Sequence, residues 1–532
     1  MTRSTGWLTA SLSMLVVAGL SACGDRGTPG AQGPAVTALE SASAVSQPAD
    51  WDQELKIAPA QDLNPDPHVL EVNLEAKPVE LEILPGTKTT VWTYNGQLPG
   101  PLLRAQVGDR VIVHFKNSLP VATTIHWHGL RVSNEMDGSP GVTQPPIEPG
   151  GEFRYEFVLK DAGTYWYHPH VDSAVQVGRG LYGPIVVDDP NDPKAFGDDL
   201  VLVLSDMSLD EDGQPLPDDN GGQFGDLFGR EGSTLLVNGK VRPHLKVRTG
   251  KQQRWRVIDA ARARYFNLRL PGHRFARLGG DNGLAARSED VYNVVVAPGE
   301  RTDAVFTPAD APGSHKVLQW VPVDRGYGST FNRPREDLLA IDTVDAPPVR
   351  PEPIPETLRE IEPIDVAGAK TQTLAFTIAL DGRSVVMGFN GVPYARVQPL
   401  EARLGETQVW KLVNDTDFAH PFHLHGYFFQ VLDDARVPEW KDTISVPSKS
   451  ELAIAVKFDE RPGMWMYHCH ILDHAEIGMM GHLHVIDPAA PVSPPPSAST
   501  HMHTPAHGQH TNGAPADAGS PPADGDRISA PQ

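Results

Sequence analysis

Gly463-Met464-Trp465-Met466-Tyr467-His468-Cys469-His470 aligns without a gap with Gly163-Thr164-Tyr165-Trp166-Tyr167-His168-Pro169-His170, three hundred residues upstream. Working outward, the match becomes an internal repeat. Each copy opens with Asn-Gly, continues to a second glycine, and reaches Asn or Asp nine residues later. The markers are Asn95-Gly96, Gly108 and Asn117, then Asn238-Gly239, Gly250 and Asp259, then Asn390-Gly391, Gly405 and Asn414. A strand pattern lies between the later two markers of each copy: Arg110 to Phe115, Arg254 to Ile258, Gln408 to Val413. In the first copy Val111, Val113 and Phe115 fall on one face, with Ile112 and His114 on the other. A period near 150 residues is domain-sized, so the chain is a triplicated barrel and not a solenoid. Abundant glycine (49) and proline (50), with few helix-period runs, fit an all-β chain of three antiparallel barrels.

The first and third copies share more. Gly108 precedes His126 by 18 residues, and Gly405 precedes His423 by the same interval. The middle copy has no His-x-His. Four clusters result: His126-Trp127-His128, His168-Pro169-His170, His420-Pro421-Phe422-His423-Leu424-His425, and His468-Cys469-His470 followed by His474 and Met479. On a strand, residues two apart share a face, so each His-x-His presents two imidazoles side by side. Eight imidazoles exceed what one metal uses. Chance pairing of surface histidines explains this poorly, because two pairs recur at matched repeat positions. The isolated His68, His244, His273 and His315 read as structural.

Cys469 selects the metal. Its sulfur projects opposite to His468 and His470, where it can meet His474 and Met479 from the following loop and His420 from the preceding segment. Two imidazoles, a thiolate and a weak thioether form a blue-copper environment, whereas structural zinc takes four strong ligands and no methionine. The first copy has Pro169, Ala174 and Arg179 at the places of Cys469, His474 and Met479, so it cannot build that centre. The sequence therefore implies one electron-accepting copper in the third copy and a cluster shared by the first and third.

On these motifs, from about residue 70 to 487, the chain resembles the multicopper oxidases, a family that includes laccases, ascorbate oxidase and bacterial cuprous oxidases. The resemblance implies three cupredoxin-like Greek-key β-barrels and four copper ions. His420, Cys469, His474 and Met479 would hold one type 1 copper, and His126 and His423 one type 2 copper. His128, His168, His170, His425, His468 and His470 would hold a type 3 pair. Asp137, in Glu135-Met136-Asp137-Gly138, matches a family carboxylate that assists proton delivery. A second family acid is replaced by Ala475, with Glu476 one residue later. The implied activity is single-electron oxidation of phenols or aromatic amines at the type 1 site, with reduction of O2 to water at the cluster. Cu(I) oxidation in copper tolerance is the alternative. Methionine-rich insertions often accompany that alternative, and residues 346 to 400 contain only Met387. Copper sequestration without turnover and a copper-free structural relative are further alternatives; the complete ligand set argues against the last.

Lys+Arg total 45 against Asp+Glu 67, a net charge of -22, which argues against nucleic acid as a partner, since phosphate binding needs a basic face. Arg3, the apolar run Leu12 to Leu20, and Leu20-Ser21-Ala22-Cys23 read as an export signal of lipoprotein type over residues 1–23. No twin arginine is present. The protein is thus expected to be exported, periplasmic or at the cell surface, with Cys23 as a lipid anchor. Residues 24–64 read as a flexible tether, 65–190, 191–345 and 369–488 as the three domains, and 346–368 as a linker. Residues 489–532 read as a disordered tail, in which His501-Met502-His503, His507 and His510 either collect copper or are merely solvated.

Overall fold

The computed structural model describes residues 39–326, 333–382 and 384–489. The export signal with Cys23, the start of the tether and the tail beyond Ala489 lie outside the described residues.

Alternation produces the barrels. In the strand Arg110–Asn117, Val111, Val113 and Phe115 are buried in the first core, while His114 is half-exposed and pairs with Glu71. Each copy folds as two facing sheets. The first has two four-stranded sheets, the second a six- and a five-stranded sheet, and the third two five-stranded sheets. Each barrel has its own core around a buried tryptophan: Trp127, Trp255 and Trp410.

The repeat markers have a common structural meaning. Asn95, Asn238 and Asn390 all take positive φ and precede a glycine of positive φ, the backbone of a tight hairpin turn. Each asparagine amide bridges a neighbouring strand. Asn95 Nδ2 donates to Asn73 O and its Oδ1 accepts from Glu75 N; Asn390 does the same with Thr373 O and Ala375 N.

The expectation of purely antiparallel barrels needs correction. The first strand of each copy, Val69–Leu84, Asp198–Met207 and Lys370–Asp381, runs parallel to the strand before the Asn/Asp marker. In the first copy the chain passes through the facing sheet, at Leu103–Gln106, before it returns beside its first strand, and such a crossover is what a parallel pair requires. The tether reading does not hold for residues 40–64. From Glu40 the chain is part of the folded body: Leu55 is buried in the second core, and Ala60 N donates to Leu102 O. The 346–368 stretch lies along the second barrel, with Val349 buried and Leu358 N donating to Ala286 O.

Three short helices matter for function: α1 (Ser173–Gly178), α2 (Gly222–Phe228) and α3 (Leu472–Glu476). α1 and α3 follow the matched His-x-His strands of copies one and three.

Candidate metal centres

The paired-histidine strands lie side by side within each barrel. His126–His128 pairs antiparallel with Gly163–His168, placing His126 opposite His168. In the third barrel His420–Leu424 pairs with Gly463–Cys469, placing His423 opposite His468. Barrels one and three then bring their imidazoles together: His128 stacks on His423 at 3.8 Å and His126 on His425 at 3.9 Å between ring centres. All eight histidines of the shared cluster are buried.

Ring hydrogen bonds fix which nitrogen faces inward. His126 Nδ1 is held by Asp137 O at 2.8 Å, His168 Nδ1 by Pro169 O at 2.9 Å, and His468 Nδ1 by Cys469 O at 2.9 Å. His423 Nδ1 lies 3.0 Å from Asp442 O, and His425 Nδ1 lies 3.0 Å from Asp137 Oδ2. His128 is reversed: its Nε2 faces Asp442 Oδ1 at 3.2 Å. The opposite nitrogens are left buried with no hydrogen-bond partner: His126 Nε2, His128 Nδ1, His168 Nε2, His423 Nε2 and both nitrogens of His470. Orphaned buried nitrogens are costly unless something accepts their lone pairs. A metal is the group that fits them. Burial, followed by neighbouring imidazoles, holds His168, His170, His468 and His470 well below the usual histidine range. His425 falls to about 3. These five rings are therefore neutral at neutral pH.

On the other face of Gly463–Cys469, Cys469 Sγ lies 3.5 Å from both His420 Nδ1 and His474 Nδ1, which are 3.2 Å apart. Met479 is buried in the same core, and its carbonyl accepts from Cys469 N. His474 sits on α3 and not in an open loop. The run is too short for a helical period to register in sequence. Burial pushes the Cys469 thiol up, so a bound cation is what would hold it as thiolate.

Three family profiles, each described as multicopper oxidase, match residues 75–192, 198–330 and 365–489. A multicopper oxidase of Mycobacterium tuberculosis is 30% identical over 78% of this chain and 86% of its own length. The chain belongs to the multicopper oxidase family. The laccase of Bacillus subtilis is 28% identical over 75% of this chain and 91% of its own. The solved structure titled multicopper oxidase from Campylobacter jejuni, a metallo-oxidase, has a TM-score of 0.73 and 31% identity, covering 81% of this chain and 94% of that one. This multicopper oxidase is thus a copper-dependent oxidoreductase with O2 as acceptor, built from cupredoxin-like barrels.

The structure brings eleven of the twelve candidate ligands together, eight histidines in the shared cluster and His420, Cys469 and His474 in the other centre, while Met479 is buried in the same core as Cys469. It also adds residues that the sequence did not single out. Asp442 contacts His128 and His423, and Thr443 Oγ1 donates to Asp442 Oδ1 at 2.7 Å. Arg301, from the ligand-free second barrel, grips Asp442 with two guanidinium nitrogens at 2.7 and 2.5 Å. Asp281, pushed up to about 6 by burial despite Lys441, accepts from Arg301 N and Thr443 N. Around the other centre, Asp473 accepts from Arg230 and Arg262 of the second barrel, both at 2.5 Å. The second barrel therefore buttresses both sites. Asp137 is buried against His425 and His126, with Ser139 Oγ donating to it at 2.5 Å. Glu476 accepts from Ser173 N at 2.6 Å, joining α3 to α1. The isolated His244 and His315 both pair with exposed Asp342, as structural histidines do.

Proposed function

We propose that this multicopper oxidase is laccase-like, taking single electrons from phenols or aromatic amines and delivering them to O2. The observation that carries this reading is Cys469, flanked by His468 and His470 on one strand with its sulfur against His420 and His474. The chain itself connects the two centres: one residue spans from Sγ through the backbone to imidazoles of the shared cluster. His420, Cys469, His474 and Met479 would hold the type 1 ion. His126 and His423 would hold the type 2 ion. His170, His425 and His468, whose ligand atoms lie within 4.8 Å of one another, would hold one type 3 ion, and His128, His168 and His470 the other. Four coppers, when bound, store the four electrons that turn O2 and four protons into two waters. Asp137, beside His425, would pass protons towards the cluster.

Purified enzyme is expected to carry about four coppers per chain by the ligand count and to be blue when oxidised. Cys469→Ser should keep the cluster ions but lose the blue colour and substrate oxidation. Zinc in place of copper on elemental analysis, or a blue Cys469→Ser protein, rejects the assignment.

A relative named copper resistance protein A homolog, from Pseudomonas syringae, is 26% identical over 75% of this chain and 90% of its own length. It favours a second reading, oxidation of Cu(I). Against that, Met387, the sole methionine of residues 346 to 400, is buried in the third core and offers no surface thioether. Steady-state rates with Cu(I) and with a phenol, measured side by side, separate the two.

The Leu20-Ser21-Ala22-Cys23 boundary supports export followed by lipid attachment at Cys23, with the enzyme periplasmic or at the cell surface. No helix among the described residues is long and apolar enough to cross a membrane. Cys23→Ser should move active enzyme from the membrane to the soluble fraction. Unaltered enzyme that is already soluble after processing refutes the anchor.

A further inference from the structure

His474 is a candidate type 1 ligand that touches the second copy at Leu227, and an organic donor would meet that ligand directly only if its outer ring edge were open. It is closed. His474 is 0% exposed, and its Nε2 donates to Leu227 O of α2 at 3.2 Å. The α2 segment is fastened there at several points. Arg325 Nη2 donates to Phe228 O at 2.9 Å, and Arg230, just past the helix, grips both Asp226 and Asp473. Gly229, at φ +78°, passes so close to Ile471 and Ala263 that a Cβ there would lie 2.7 and 2.6 Å from their methyl carbons. The cover is therefore a close-fitting part of the site.

The outer surface of that cover is aromatic. Phe224 is 74% exposed, the most exposed large apolar side chain among the described residues. An isolated exposed phenylalanine needs no explanation, but this one is the outermost rung of a ladder of rings. Phe224 lies nearly parallel to Phe228 at 6.2 Å; Phe228 meets Phe418 edge-on at 5.8 Å; Phe418 contacts His474 at 5.6 Å and His420 at 5.1 Å. Phe224 and Leu227 also share a helical face, three residues apart, and Leu227 carries the carbonyl bonded to His474.

Resting on the laccase-like reading above, the geometry points to the outer face of α2 as the binding site for the electron donor. A planar phenol stacks on Phe224 instead of touching His474. The phenol gives up one electron, which passes through the α2 cover to the type 1 site, and its hydroxyl proton goes to bulk water, leaving a phenoxyl radical. Phe224 sets the affinity for aromatic donors, and the Leu227–His474 hydrogen bond is the contact through which the electron enters.

Phe224→Ser removes the ring from an exposed position, and Phe224→Trp enlarges it. With 2,6-dimethoxyphenol, the serine variant should show a KM about three- to tenfold higher, the range that loss of one aromatic pair corresponds to, with kcat little changed. Hexaammineruthenium(II), a donor without a ring, should be oxidised by the variant and the unaltered enzyme alike, and Phe224→Trp should restore the phenol KM. A second readout needs no turnover. In the fully reduced, anaerobic holoenzyme, 19F line broadening of 4-fluorophenol should weaken in Phe224→Ser. Unchanged KM, unchanged broadening, or an equal loss with both donors overturns the site alone. Unaltered enzyme that oxidises Cu(I) but no phenol overturns the substrate reading, and the site with it.

Discussion

Arg301→Met is expected to empty the shared copper cluster while leaving the blue centre in place. Arg301 is fully buried, and its guanidinium has five partners: both Asp442 oxygens, Thr164 O, Gly299 O and Asp281 O. Asp442 is equally buried, and its Oδ1 faces His128 Nε2, which leaves Nδ1 as that ring's inward donor. Burial alone would raise Asp442; the Arg301 charge and hydrogen bonds outweigh it and hold the carboxylate well below its ordinary range. Methionine of similar length leaves that anion buried and unpaired, a defect that costs about 3–5 kcal/mol in comparable sites. Because Asp442 is depressed in the folded state, its stabilising contribution is present above the ordinary carboxylate value and is lost only in strong acid. At working pH the variant therefore suffers the full defect. The carboxylate is expected to turn towards other donors and release His128 and His423. Loss of such a partner typically lowers metal affinity or activity by about 10- to 100-fold. Copper content should fall from about four towards one per chain, with the blue absorption retained and the type 2 paramagnetic signal gone. Arg301→Lys should rescue only in part, because an ammonium cannot reproduce the planar fork. The double variant Arg301→Met/Asp442→Asn should recover thermal stability relative to Arg301→Met, since both charges are removed together. A fully metallated Arg301→Met enzyme would remove Arg301 from any positioning role.

The contrast between this network and the ligands themselves is one of sequence locality. His126 and His128, or His468 and His470, are two residues apart on a strand, so their common face follows from backbone geometry. Their recurrence at matched repeat positions distinguishes them from chance. Cys469 was legible for the same reason, because the sulfur must point away from its two neighbours. Arg301 and Asp442 are 141 residues apart, in a chain with 67 acidic and 45 basic residues, and nothing local marks which of these is buried. Arg301 also belongs to the copy without paired histidines, where sequence gave no reason to look. Asp473 adjoins His474 but acts through Arg230 and Arg262, more than 200 positions away. The tether failed for a related reason. Its small and polar composition resembles a linker, yet scattered anchors such as Ala42, Leu55 and the Ala60–Leu102 hydrogen bond fasten residues from Glu40 onward, and isolated anchors leave no periodic trace. The cover over His474 was invisible in the same way, because a backbone carbonyl, Leu227 O, makes the contact, and carbonyls have no sequence signature.

Asp137→Asn and Asp137→Ala are expected to fail in different ways, and the difference separates proton delivery from ligand support. Asp137 ends a 3-10 turn, Asn134–Met136, eleven residues after His126. Its carbonyl fixes His126 Nδ1, a contact made by the backbone that survives any substitution of the side chain. Its carboxylate faces His425 Nδ1 at 3.0 Å and accepts from Ser139 Oγ at 2.5 Å. Burial would raise this carboxyl, but His425 and His126 prevail and keep it well below the usual range, so it rests as the anion. Asparagine preserves the shape, and its amide oxygen can still accept from His425, but it carries no exchangeable carboxyl proton. Copper content and reduction of the type 1 site by substrate should therefore stay near the unaltered values. Reoxidation by O2 consumes four protons for each four electrons, so turnover should fall by about 10²- to 10⁴-fold, the usual contribution of a positioned acid–base group. Alanine instead leaves His425 Nδ1 without its buried acceptor, a loss of about 1–3 kcal/mol, and should release cluster copper along with activity. Stopped-flow measurement of the two half-reactions, with copper analysis of each variant, makes the distinction. If fully metallated Asp137→Asn is reoxidised as fast as the unaltered enzyme, Asp137 only orients His425, and protons reach the cluster by another path.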